Sequence, residues 1–358
     1  MKILTEQQLE AFFKSVESDY DVFVPLRLHD GTRSLGKPGE GPLALAGGAI
    51  PQKITNVFFP QIETVLTIGP DGVKPQEALS KPLFVVGFTA QDADCLEFID
   101  RFYSENYRDD VYFNKRDGAV IVCVSGRCGA DPALARGQAP PAKAGGEFLK
   151  IAGEKCDMEL IGDGQNYLAV GYTKIGKKLL EKAPSDVGAT PRGCPGQAHG
   201  PAPTEKLLDE LKKESNALPT DELELIQAAS KLLLEDKVPD EFWRTISDRC
   251  IACTSCNLAC PTCTCFDVFD REVDGEILRR RVWDSCQLDG FMREASGHNP
   301  MGDERIRTRR RIHHKLAADV TRWGHVTCFL CGRCDRVCPT GIGIKAVCRE
   351  MLDQYGPK

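Results

Sequence analysis

Apolar and polar positions along the chain follow two periods. Over residues 5–18 (TEQQLEAFFKSVES) the apolar side chains fall at Leu9, Phe12, Phe13 and Val16, which predicts an amphipathic helix with Thr5 as its N-cap. Short apolar runs at 22–28 (VFVPLRL), 55–60 (TNVFFP), 82–88 (PLFVVGF) and 119–125 (AVIVCVS) predict strands. Residues 92–105 (DADCLEFIDRFYSE) return to helical spacing through Leu96, Ile99, Phe102 and Tyr103. The order strand, helix, strand over 82–125 is that of a crossover unit, and CDMELI and NYLAVGY add two candidate edge strands.

Periodicity then stops. Residues 183–203 are rich in Pro, Gly and Ala and read as a linker, with Cys194 inside it as a lone thiol. Helical spacing resumes in EKLLDELKKES, TDELELIQAASKLLLED and DEFWRTI, and again in IKAVCREMLDQY near the end, where Cys348 falls on the apolar face. The expected class is α+β. An N-terminal α/β domain (1–182) precedes a linker and connecting helix (183–215), then a mainly helical domain (216–358).

Composition narrows the function classes. The chain has 358 residues, 42% hydrophobic and 27% charged, with a net charge of −6. That balance argues against a general nucleic-acid or membrane-surface binder. The longest apolar runs, 83–88 and 119–124, are far short of a bilayer span, and MKILTEQQLEAFF has no sustained apolar run of a secretory signal. The expectation is a cytoplasmic protein.

The 17 cysteines change the picture, because most lie in residues 250–348. A long chain without a secretory signal has little use for a disulfide scaffold, so metal ligation is the better account. Cys250, Cys253, Cys256 and Cys260 precede Pro261; Cys328, Cys331, Cys334 and Cys338 precede Pro339. Two copies of C-x2-C-x2-C-x3-C-P point to two [4Fe–4S] clusters, each needing four thiolates. In such pairs the fourth cysteine ligates the other cluster. One cluster would take Cys250, Cys253, Cys256 and Cys338; the other would take Cys328, Cys331, Cys334 and Cys260. Zinc needs only paired cysteines and leaves the tripled spacing and the prolines without a reason.

The 67 residues between Cys260 and Cys328 favour a helical dicluster domain over a compact ferredoxin. With all eight ligands cysteine, the clusters suit relay of single electrons rather than catalysis. Cys263, Cys265, Cys286 and His298 remain as candidate ligands of a further metal or cluster; their plainer reading is buried thiols and donors beside the clusters. Cys95, Cys123, Cys128 and Cys156 are widely separated and read as core thiols. Residues 305–315 carry five arginines and Lys315 with no acid: a solvated helix face, or charge that stabilises reduced clusters or docks an acidic partner.

The segments CIACTSCNLACPTCTCFDVFD, RRRVWDSCQLDGF, GHNP, RIRTRRRIHHK and CFLCGRCDRVCP together resemble the β subunit of cytoplasmic [NiFe] sulfhydrogenases, and the iron–sulfur subunit of anaerobic sulfite reductases is similar too. The chain departs from that pattern at Gln91-Asp92, at Cys128-Gly129-Ala130 and at Pro300-Met301. The resemblance implies an electron-transfer subunit without a catalytic site of its own. Its implied partners are a flavoprotein that holds FAD and exchanges electrons with NAD(P)H, a catalytic large subunit, and the iron–sulfur small subunit that accompanies it. An anaerobic sulfite or sulfur reductase subunit with its own third metal site is the alternative. An adaptor whose clusters only hold a docking domain together is another.

Overall fold

The computed structural model describes residues 1–128, 148–184 and 203–357. The chain divides into two compact units. One comprises residues 1–50, 79–94 and 113–218; the other comprises 51–78, 95–112 and 219–358. The segments 51–78 and 95–112 therefore join the C-terminal unit, and the units are interleaved in sequence rather than consecutive at 182 and 216. Cys194 and Gly129-Ala130 lie outside the described residues.

The first unit is a seven-stranded sheet in the order Lys2–Leu4, Tyr167–Gly171, Met158–Gly162, Val120–Gly126, Leu83–Phe88, Asp21–Arg27, Arg33–Gly36. The four strands from Met158–Gly162 to Asp21–Arg27 run parallel, and the outer pairings are antiparallel. Leu83–Phe88, Val120–Gly126 and Met158–Gly162 are buried along their whole length, which is why their sequences are continuous apolar runs rather than alternating ones. The helix Glu6–Val16 lays Leu9, Phe12, Phe13 and Val16 into this core against Phe84 and Val22. Thr5 caps it as expected: its hydroxyl accepts from the Gln8 amide at 3.2 Å, and the Gln8 side chain accepts from the Thr5 amide at 3.0 Å. The edge strand Lys2–Leu4 and the helix Lys174–Lys182 are too short or too polar to stand out in the pattern.

One carboxylate sits within this core. Glu159, fully buried, accepts from the Ser125 hydroxyl (2.7 Å), the amides of Ala152 (2.7 Å) and Gly153 (3.0 Å), and the Tyr172 hydroxyl (2.9 Å). Cys123, Cys128 and Cys156 are buried thiols of this unit, and burial pushes the Cys128 thiol up to about 12.

The second unit combines helices with a four-stranded antiparallel sheet ordered Phe266–Val273, Glu276–Trp283, Ile62–Gly69, Gly72–Pro75. The run 55–60 is not a strand. Phe58 and Phe59 are both buried, so the segment cannot present alternate faces, and Ile54–Val57 forms a 3-10 turn instead. The strand begins after it, at Ile62. Asp274 and Gly275 both take positive φ (52° and 80°) in the two-residue turn of the 266–283 hairpin. Arg281 on this sheet is enclosed with Glu63 (2.6 Å) and Asp109 (2.5 Å), and its guanidinium lies over the rings of Phe59 and Phe266.

Helices Asp221–Leu234, Asp240–Ser247, Glu304–His313 and Ile344–Tyr355 supply the other core: Ile226, Leu233, Trp243, Ile246, Ile312, Val347 and Met351. Cys348 is fully buried there, as its helical position anticipates. After His313 the helix widens into a π turn over His314–Ala318, which carries Lys315. Among the described residues no helix is long and apolar enough to cross a membrane.

Candidate metal centre

Both cysteine motifs fold into the same unusual loop. Ala252 and Thr254, two and four residues after Cys250, have φ of 49° and 62°; Leu330 and Gly332, at the same offsets from Cys328, have φ of 61° and 71°. Three of these four carry side chains in a left-handed conformation that ordinarily costs on the order of 1 kcal/mol each. Local sequence does not favour such backbone, so it persists because the loop must turn its thiols inward. A short helix follows each loop, Ser255–Leu258 and Arg333–Val337.

Two cavities open against these loops. The larger is lined by Cys328, Cys331, Cys334, Cys256 and Cys260 together with Arg311 and Lys315. The smaller is lined by Cys250, Cys253, Cys256 and Cys338 together with Gln287 and Arg311. Each cavity thus draws thiols from both motifs. Cys253 is exposed at the smaller one.

The fourth cysteine of each motif has a threonine beside it. The Cys260 sulfur lies 3.3 Å from the Thr262 hydroxyl, and the Cys338 sulfur lies 3.5 Å from the Thr340 hydroxyl. The Ile342 amide also donates to Cys338 Sγ at 3.4 Å. Burial opposes ionisation of Cys338, but the Thr340 hydroxyl and the nearby amides outweigh it and lower its thiol below the ordinary range. A hydrogen bond with Cys263 lowers Cys260 far below that range. Burial raises Cys328 to about 12 and raises Cys334 well above normal. The threonines extend the repeat to C-x2-C-x2-C-x3-C-P-T, a signal that the cysteine spacing overshadows.

Buried cations complete the site. Lys315 Nζ donates to Thr262 Oγ1 at 2.7 Å, and Thr262 in turn donates to the Thr327 carbonyl at 3.0 Å. Lys53, 2% exposed, reaches the Cys263 carbonyl at 3.3 Å and stands 3.4 Å over the Trp283 ring; burial lowers its ammonium to about 8. Sequence reading offers no hint of Lys53, because nothing local marks a lysine 210 positions before Cys263 as its neighbour in space. The arginine-rich run is only partly a solvated face: Arg310 is exposed, but Arg307 and Arg311 are 6% exposed, and Arg307 donates to the carbonyls of Met301 (2.7 Å) and Gly302 (2.9 Å).

The four further candidates do not assemble. Cys263 bonds Cys260, and Cys265 lies close enough to Cys286 for charge to be felt. Cys286 accepts from Asn257 Nδ2 at 3.1 Å, while His298 is exposed, with its amide donating to Ser296. Among the described residues no three His, Cys, Asp or Glu side chains converge to hold one metal ion.

Two loops of soft thiolate donors around neighbouring cavities suit iron–sulfur clusters, whose sulfides and irons spread ligands farther apart than one ion does. Comparison agrees with the chemistry. Residues 249–342 match the 4Fe–4S dicluster domain family. Sulfhydrogenase 2 subunit beta of Pyrococcus furiosus is 34% identical over 122 residues, 34% of this chain and 36% of that relative. The chain therefore aligns with little more than a third of that relative's length. No solved structure matches the chain. Residues 249–342 are thus similar to a 4Fe–4S dicluster domain, in a chain similar over about a third of its length to the β subunit of a sulfhydrogenase.

Proposed function

We propose that the chain is an electron-relay subunit of a multisubunit, sulfhydrogenase-like oxidoreductase. Cys250, Cys253, Cys256 and Cys338 hold one [4Fe–4S] cluster, and Cys328, Cys331, Cys334 and Cys260 hold the other. The observation that carries this reading is the crossed lining of the two cavities, each fed by thiols of both motifs. When bound, such clusters supply one-electron transfer. The protein's part is to strip water from the sulfurs, place threonine hydroxyls and cations against them, and leave no open ligand position for substrate. Cys253, exposed, marks the edge where electrons enter or leave the chain. NAD(P)H, flavin and the catalytic metal belong to partner subunits in this reading.

Anaerobic reconstitution tests it. The expected product holds about eight irons per chain and has a visible band bleached by dithionite. Cys260→Ser should disturb the cluster of Cys328–Cys334, and Cys338→Ser the other, in the spectra of the reduced protein. About four irons, or a disturbance confined to each cysteine's own motif, overturns the assignment. Purification from the native cell should bring along a flavoprotein and a nickel-containing subunit; a sirohaem protein in their place would point to sulfite reduction.

A further inference from the structure

One buried charge faces both cavities. Arg311, in the helix Glu304–His313, lines the larger and the smaller alike and is 6% exposed. Its neighbours on that helix have acidic partners: Arg307 meets Asp289, and Arg309 meets Asp236 and Asp240. Arg311 instead feels Cys256, Cys334, Cys250 and Cys338, thiols of both sets. Its Nη2 donates to the Ile342 carbonyl at 2.7 Å, but its Nε–H is buried without a hydrogen-bond partner among the described residues. A charged donor left unmatched in the interior is costly, and native structures keep one where an acceptor arrives with a ligand.

We propose that Arg311 is the shared counter-charge of the two clusters: its Nε–H donates to a cluster sulfur, and its guanidinium favours the reduced state of both. This rests on the two-cluster reading given above. Reduction adds one negative charge to a cluster, and a fixed cation in a poorly screened interior stabilises that charge. A helix position serving two cavities ties their potentials to one side chain. Lys315, by contrast, lines the larger cavity alone.

Potentiometric titration of the iron-loaded full chain, followed by electron paramagnetic resonance, provides the test. Arg311→Met should lower the reduction equilibrium of both clusters at least tenfold, which is about 59 mV for a one-electron couple. Arg311→Lys, which keeps charge but lacks Nε, should fall between that variant and wild type, and Arg309→Met should match wild type. If either cluster of Arg311→Met stays within twofold of wild type, the assignment is wrong. Wild-type protein grown with 15N-arginine gives an independent reading that needs no variant to fold. A nitrogen hyperfine coupling to a reduced cluster is expected, and its absence overturns the hydrogen bond. Iron content and the number of reduced signals test the two-cluster reading separately, so unshifted potentials in an eight-iron chain defeat only the role of Arg311.

Discussion

Glu159 is a carboxylate held in the core of the first unit by four neutral donors. Replacing it by glutamine keeps the shape and removes one acceptor oxygen. At one end the donors are Ser125 Oγ and the Ala152 amide; at the other they are Tyr172 Oη and the Gly153 amide. A hydroxyl can turn and accept from the new NH2 group, but a backbone amide cannot. Whichever way the side chain settles, one buried N–H faces another donor, at about 1–3 kcal/mol. The remaining bonds lose their charge assistance, which brings the total to about 2–4 kcal/mol. Hydrogen exchange of peptides from Val120–Gly126 and Met158–Gly162 in the full chain reads this loss directly. At 1.4 kcal/mol per factor of ten, protection should fall roughly 30- to 700-fold. A change below about threefold would refute the account, because four bonds that can be broken so cheaply are not holding the core.

The enclosed pair Arg281–Glu63 should behave asymmetrically. Arg281→Met strands Glu63 in the interior and should cost about 3–5 kcal/mol in denaturant unfolding, while adding Glu63→Leu should recover more than half of that. A double variant no better than the single would show that the pair itself stabilises. Cys286→Ala should leave about eight irons per chain, and a drop to about four would reveal that it ligates a cluster. Burial lowers His314 to about 4, with Arg310, Lys315 and Arg322 acting the same way against Asp319. A histidine kept neutral by the fold contributes fully above about pH 6.5 and loses that contribution as pH falls toward 4. With the side chain 43% exposed the effect is small, about 1 kcal/mol, and His314→Gln should flatten the loss of stability between pH 7 and pH 5.

What the sequence discloses follows from where the information is local. The parallel strands show as apolar runs because both their faces are buried, and the helix Glu6–Val16 shows by its period and its cap. The eight thiols are legible because the repeated C-x2-C-x2-C-x3-C-P spacing is itself local, spanning about a dozen residues. The hairpin Phe266–Val273 and Glu276–Trp283 escapes notice because one strand is almost wholly exposed and the other is rich in arginine. Only Asp274-Gly275 signals it. The pairing of Ile62–Gly69 with Glu276–Trp283 joins residues some two hundred positions apart, which no local pattern encodes. Lys53 and the segment 95–112 are hidden for the same reason. Arg311 lies in plain sight, yet its burial depends on how the helix is rotated and not on its charge.

The shared walls of the two cavities also bear on how the protein is made. A ribosome delivers Cys250 to Cys260 well before Cys328, and both cavities draw on residues after 328. Until that last stretch emerges, the six thiols between 250 and 265 lack the walls that residues after 328 supply. Both cavities are complete only in the finished polypeptide, and a stop codon anywhere before Cys338 removes a wall from both together.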